Sequence, residues 1–165
     1  MEADIQKLLL KKAGAFLARR SCSRGELRSK LERYADKKSV EMVLDRLASL
    51  NLLNEEEYAY NFALRRIQQQ GWSPAKAEDS LRHRQVDQHT IDLALARIRN
   101  ENVEKGAIDT WVRQYCEKKG LPSGPKNIRR FVLHLRRRGF NEDEIFDALR
   151  RAIPDPVMKS FETGE

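Results

Sequence analysis

The sequence predicts an all-α chain, laid out as a quasi-linear array of three tandem three-helix units. Three observations predict it. Apolar residues recur at helical spacing in narrow stripes. Helix start and stop signals alternate along the whole chain. No segment sustains a period of two, and no Asn-Gly or Asp-Gly hairpin turn occurs. A composition of 40% hydrophobic and 35% charged residues, with few Gly and Pro, suits long solvated helices.

The caps set the elements in order. Ser23-Arg-Gly-Glu26 is a capping box, with Cys22 and Leu27 as the staple pair. Asn54-Glu-Glu-Glu57 repeats the box, stapled by Leu53 and Tyr58. Ser73 opens the next helix, with Pro74 at the favoured first position and Trp72 and Ala77 as flanking residues. Asp87 is a weaker cap between Val86 and Ile91, and Asn141-Glu-Asp-Glu144 is a third box between Phe140 and Ile145. Gly71, Gly120 and Gly139 close the helices before them.

The spacings between these signals repeat. Ser23 stands eight residues before Leu31, and Ser73 eight before Leu81. Leu81 stands ten before Ile91 and fourteen before Leu95, and Leu135 the same distances before Ile145 and Leu149. The first unit departs at "YADKKSV", where its last helix shifts by about one residue, and the third adds four residues at "GLPSGPKN". A period of about 45 residues indicates stacked helical units. The expected bounds are 1–53, 54–104 and 105–155, with a polar tail at 156–165.

Net charge is +7, unevenly spread: +5 over residues 1–54, −2 over 55–104 and +4 over 105–165. Basic ends suit a polyanion or an acidic protein surface. Cys22 and Cys116 belong to no CxxC pair, so neither a disulfide framework nor a zinc site is expected, and a reducing cytoplasm fits best. No apolar run approaches the ~18 residues of a membrane span. "GLPSGPKN" approximates a phosphate loop, but Pro125 stands at the second glycine and has no N–H to offer a phosphate. His83, His89 and His134 form no ligand or triad pattern, and the Glu-rich helix starts read as caps. No catalytic residue, metal or cofactor is expected. Trp72 and Phe140 each precede a cap, which makes them core rather than stacking platforms.

What remains is the basic surface. In "IRRFVLHLRRRGFNEDEIFDALRR", Ile128, Phe131, Val132 and Leu135 form one apolar stripe. Arg129 and Arg136 flank it, and Arg130 and Arg137 lie opposite. Arg138 and Arg150 complete this set as binding candidates. Arg19, Arg20, Arg24 and Arg28 form the corresponding cluster in the first unit; Arg65, Arg66, Arg82 and Arg84 fall in the second. Arginine's planar fork suits carboxylate and phosphate.

The stretches "CSRGELRSKLERY", "LNLLNEEEYAYNFALRRIQQQGWSPAKAEDSLRHRQVD" and "NIRRFVLHLRRRGFNEDEI" resemble, in that order, the motifs of the RecX family, bacterial regulators of the RecA recombinase. The resemblance spans about residues 10–150, with two departures. Asn51 stands where the family often has Gly, and Gln85 where a Lys-Gly turn is common. The resemblance implies a curved, elongated array of three-helix repeats that docks in the groove of the RecA–single-strand DNA filament. There it would limit filament extension, strand exchange and coprotease activity. The implied partners are the RecA filament and single- or double-stranded DNA, with no membrane, and a monomer is expected. The competing class is a free-standing DNA-binding protein of tandem three-helix modules.

Overall fold

The computed structural model describes residues 2–101 and 106–152. The expected boundary at 104/105 and the tail at 156–165 lie outside the described residues. Among the described residues there are nine α-helices and no strand. They are α1 (Glu2–Arg19), α2 (Arg24–Leu31), α3 (Lys37–Ser49), α4 (Glu55–Gln70), α5 (Pro74–His83), α6 (Gln88–Asn100), α7 (Ala107–Lys119), α8 (Gly124–Arg137) and α9 (Glu142–Ala152). The described residues form two compact units, 2–62 with 80–97, and 63–79 with 98–101 and 106–152.

In the first unit α1, α2 and α3 pack pairwise. Leu9 and Ala13 of α1, Leu27 and Leu31 of α2, and Val40 and Leu44 of α3 are fully buried in one cluster. Each pair lies four residues apart, so each helix offers one stripe to a shared core. A fully buried Leu contributes about 1.5–3 kcal/mol relative to exposure. In the second unit α7 and α8 both pack on α9. Trp111 and Phe131 lie 5.2 Å apart, and Tyr115 meets Phe131 edge-on at 5.0 Å. The α8 stripe buries Ile128, Phe131 and Leu135 and leaves Val132 half-buried.

The caps are made as their spacing predicts. Ser23 Oγ accepts from Glu26 N at 3.0 Å, and Glu26 accepts from Ser23 N at 3.1 Å. Asn141 and Glu144 make the same reciprocal pair at 2.9 and 2.8 Å. Asn54, Ser73 and Asp87 accept from Glu57, Lys76 and Thr90 N–H groups. Asp36, absent from the sequence-derived caps, starts α3 by accepting from Ser39 N at 3.1 Å.

The irregularity at "YADKKSV" has a physical content. Asp36 follows Leu31 by five residues, whereas Asp87 and Asn141 follow Leu81 and Leu135 by six. The extra residue is the left-handed one, Gln85 at φ +61° and Gly139 at +87°. Asn51 is left-handed too, at +55°. Both non-glycine departures from the family pattern thus keep a backbone that glycine adopts at lower cost.

These left-handed turns dock on helix starts. Ser23 Oγ donates to Arg84 O, Ser29 Oγ donates to Gln85 Oε1 at 3.2 Å, and Gly25 lies against Gln85. In the second unit Ser73 N donates to Arg138 O at 3.1 Å, and Lys76 Nζ donates to Arg137 O. Gly139 lies against Ser73 and Lys76 there. Serine caps its own helix and also grips the turn.

Candidate functional site

Helix α2 fixes the first arginine cluster. The capping box starts the helix, and burial of Gly25, Leu27 and Leu31 sets its rotation. Arg24 and Arg28, one turn apart, then face α3, where Glu41 and Asp45 are also one turn apart. Arg24 Nη2 lies 2.7 Å from Glu41 Oε2 and 2.6 Å from Asp45 Oδ1. Arg28 donates to both oxygens of Glu41. Hydrogen bonds from Arg28 and then Arg24 hold the Glu41 carboxyl at a pKa of about 2. The Arg24 side chain is only 23% exposed. Beside them, Glu26 takes Arg84 at 2.9 Å and Arg20 at 3.5 Å, and Arg84 stacks on Phe62 at 4.7 Å. Arg19 is exposed at the end of α1. The four sequence candidates of this region are therefore unlike one another. Arg24 and Arg28 bind helices together, and Arg19 and Arg20 remain on the surface.

Of the middle set, Arg65 is exposed and Arg82 donates to Gln88 at 2.9 Å. Arg66 donates to Gln70 at 2.6 Å and lies over the Trp72 ring at 5.0 Å. Lys76 Nζ lies 4.7 Å from the same ring. Trp72 is half-buried and stacked with cations, while Phe140 is buried.

The third set divides by role. Arg138 is half-buried over Trp111 at 4.8 Å and donates to Gln70 O at 3.3 Å; burial pushes its guanidinium pKa down. Arg136 pairs with Glu142, and Arg150 with Asp147 at 3.6 Å. Arg129, Arg130 and Arg137 are exposed, and their guanidiniums make no hydrogen bond or ion pair among the described residues. Near them on α7, Trp111, Tyr115 and Lys119 follow one another at four-residue spacing. Lys119 Nζ lies 5.7 Å from the Tyr115 ring centre, and His134 lies 6.1 Å from it. Burial first, then the charges of Lys119, Arg137, Arg138 and Arg130, push the His134 pKa down. Trp111, Tyr115 and Lys119 stand outside the arginine clusters of the sequence; their four-residue spacing is the signal that marks them.

Among the described residues no His, Cys, Asp and Glu grouping could hold a metal ion, and no helix is long and apolar enough to cross a membrane. Helix starts gripping left-handed turns, with exposed arginines outside, define the chain as an all-α helical-repeat protein. A family model described as RecX, second three-helix domain, matches residues 54–95. The chain is 35% identical over 131 residues to Regulatory protein RecX of Pseudomonas putida strain W619, covering 79% of this chain and 81% of the relative. It is 30% identical over 162 residues to Regulatory protein RecX of Corynebacterium efficiens, covering 94% and 77%. A crystal structure of RecX from Lactobacillus salivarius shares the fold with a TM-score of 0.69 at 17% identity, covering 98% of this chain and 99% of that one. The chain belongs to the RecX family of regulatory proteins.

Proposed function

We propose that this chain regulates the RecA recombinase by docking in the groove of the RecA–single-strand DNA filament. There it limits filament extension, strand exchange and coprotease activity. The observation that carries the reading is the outer face of α8, where Arg129, Arg130 and Arg137 stand exposed without internal counterions among the described residues. A buried stripe beneath them holds that face in place. Family membership supplies the regulatory role. Tandem repeats spanning adjacent protomers would gain affinity through effective concentration. We assign the contact to the α8 set ahead of Arg24 and Arg28, whose guanidiniums are held by Glu41 and Asp45. Arg19, Arg20 and Arg65 are secondary contacts in this reading.

The test is single-strand-DNA-dependent ATPase of the cognate recombinase, with this chain titrated in. Inhibition well below one molecule per recombinase protomer is expected. Changing Arg129, Arg130, Arg136 and Arg137 to Glu should abolish it while helicity is retained. Unchanged ATPase beside tight binding to naked DNA would favour the free-standing DNA-binding class. Five neutralised phosphates on a single strand would then give a log–log salt slope of about −3.5.

A further inference from the structure

Helix α8 has two edges, and they differ in what covers them. On the edge that meets α7, His134 lies 6.1 Å from the Tyr115 ring. On the other, Leu133 stands one turn from both Arg129 and Arg136 and is 48% exposed. Helix α9 continues this open edge. Arg136 pairs with Glu142, and Phe146, one turn beyond Glu142, is 37% exposed. The ion pair therefore sits between two open apolar side chains, one from each helix. Around them the charge is mixed. Helix α9 brings the carboxylate of Asp143 one turn before Phe146, and α8 brings Arg129, which has no counterion among the described residues. The result is a small apolar seat with an acidic side and a basic side.

We propose that residues 153–165 of this chain are a strap that docks on the α8–α9 edge, with Phe161 seated between Leu133 and Phe146. Their sequence, "IPDPVMKSFETGE", follows Ala152, the last described residue. Val157, Met158 and Phe161 supply apolar surface. Lys159 and Glu162 flank Phe161, a mixed pair that suits Asp143 on one side of the seat and Arg129 on the other. Pro154 and Pro156 oppose a straight continuation of α9. The tether is long enough. Nine residues lead from Ala152 to Phe161, about 30 Å when extended, whereas Phe146 lies six residues back, about 9 Å along the helix axis. A tethered segment acts at high effective concentration, so two apolar side chains suffice where a free peptide would need more. Once docked, the strap covers Arg129 and Arg136 and guards them against an outside partner. That guarding role rests on the recombinase reading; the docking does not.

The experiment is paramagnetic broadening in NMR spectra of the full chain. Thr163→Cys carries a nitroxide, Cys116→Ser removes the half-buried thiol, and the buried Cys22 is out of the label's reach. Broadening of the Leu133 methyl and Phe146 ring signals is expected. It should vanish when the nitroxide is reduced and vanish again in Phe161→Ser, with helicity by circular dichroism unchanged. Sharp signals at both residues beside the active nitroxide overturn the strap, and so does broadening that Phe161→Ser leaves intact. Equal broadening in a mixture of labelled chain with unlabelled, isotope-enriched chain makes a second copy the occupant and overturns it too. Recombinase ATPase then tests the guarding role. A strap docked about nine-tenths of the time lowers apparent affinity about tenfold, so Phe161→Ser should inhibit at about one-tenth the concentration. Equal potency of the two chains beside clear broadening refutes guarding. Absence of inhibition by either chain sinks the recombinase reading alone, and the docking stands on the NMR result.

Discussion

The arginines of α2 and those of α8 look alike in sequence and behave oppositely in the fold. Arg24 and Arg28 stand one turn apart and so do Glu41 and Asp45, so α2 and α3 are joined by a small charge lattice. Arg130 and Arg137 stand about two turns apart, and α7 offers them Lys119 and Tyr115 instead of carboxylates. The comparison teaches that a basic cluster becomes structural or available according to what the neighbouring helix presents. Composition within the cluster does not decide it.

The largest expected effect comes from disturbing the start of α2, which aims the first cluster. In Gly25→Ala the new Cβ would lie 2.3 Å from Gln85 Cβ and 2.7 Å from Gln85 O. Overpacking of this kind costs about 1–3 kcal/mol, readable in urea denaturation. Next comes Arg24→Ala with Arg28→Ala, which strands Glu41 and Asp45. Because the Glu41 side chain is 39% exposed, solvent screening limits the loss to about 1 kcal/mol. The same removal at Arg129, Arg130 and Arg137 should shift stability by no more than about 0.5 kcal/mol, although it removes more charge. Equal losses in both sets would break the comparison.

Acid sharpens it. Glu41 is held at about 2 against an ordinary 4.5, so the folded chain binds that proton less readily than the unfolded one. Its stabilisation is present above about 4.5 and is lost as pH falls toward 2; Glu41→Gln should flatten that part of the stability–pH curve. His134 acts in a different window. Its pKa also lies below the ordinary 6.5, so its contribution is present above 6.5 and is lost as pH falls through the folded value. The smallest effect is in Arg130→Ala with Arg137→Ala, which should let the His134 pKa rise, as followed by NMR.

Much of the fold was legible because caps are local. Ser23, Asn54, Ser73, Asp87 and Asn141 each satisfy an N–H three residues on, a distance that the sequence displays directly. Asp36 escaped because its turn is one residue shorter than the others. The candidate site was less legible. Whether Arg24 keeps its charge for a partner depends on Glu41 and Asp45, which lie 17 and 21 residues away and reach it only through helix packing. The grouping of Tyr115 and Lys119 with His134 likewise depends on how α7 and α8 meet. The stripe on α8 was readable; the chemistry of its two edges was not.

The two docked turns are both crowded, but by different neighbours. In the first, a Cβ at Gly25 would lie 2.3 Å from Gln85 Cβ; in the second, a Cβ at Gly139 would lie 2.5 Å from Ser73 Oγ and 2.9 Å from Lys76 Cβ. Descendants of this sequence are therefore free to gain a side chain at residue 25 only together with a change at residue 85. A history of that kind would be written as correlated change between residues 25 and 85, sixty positions apart in the chain.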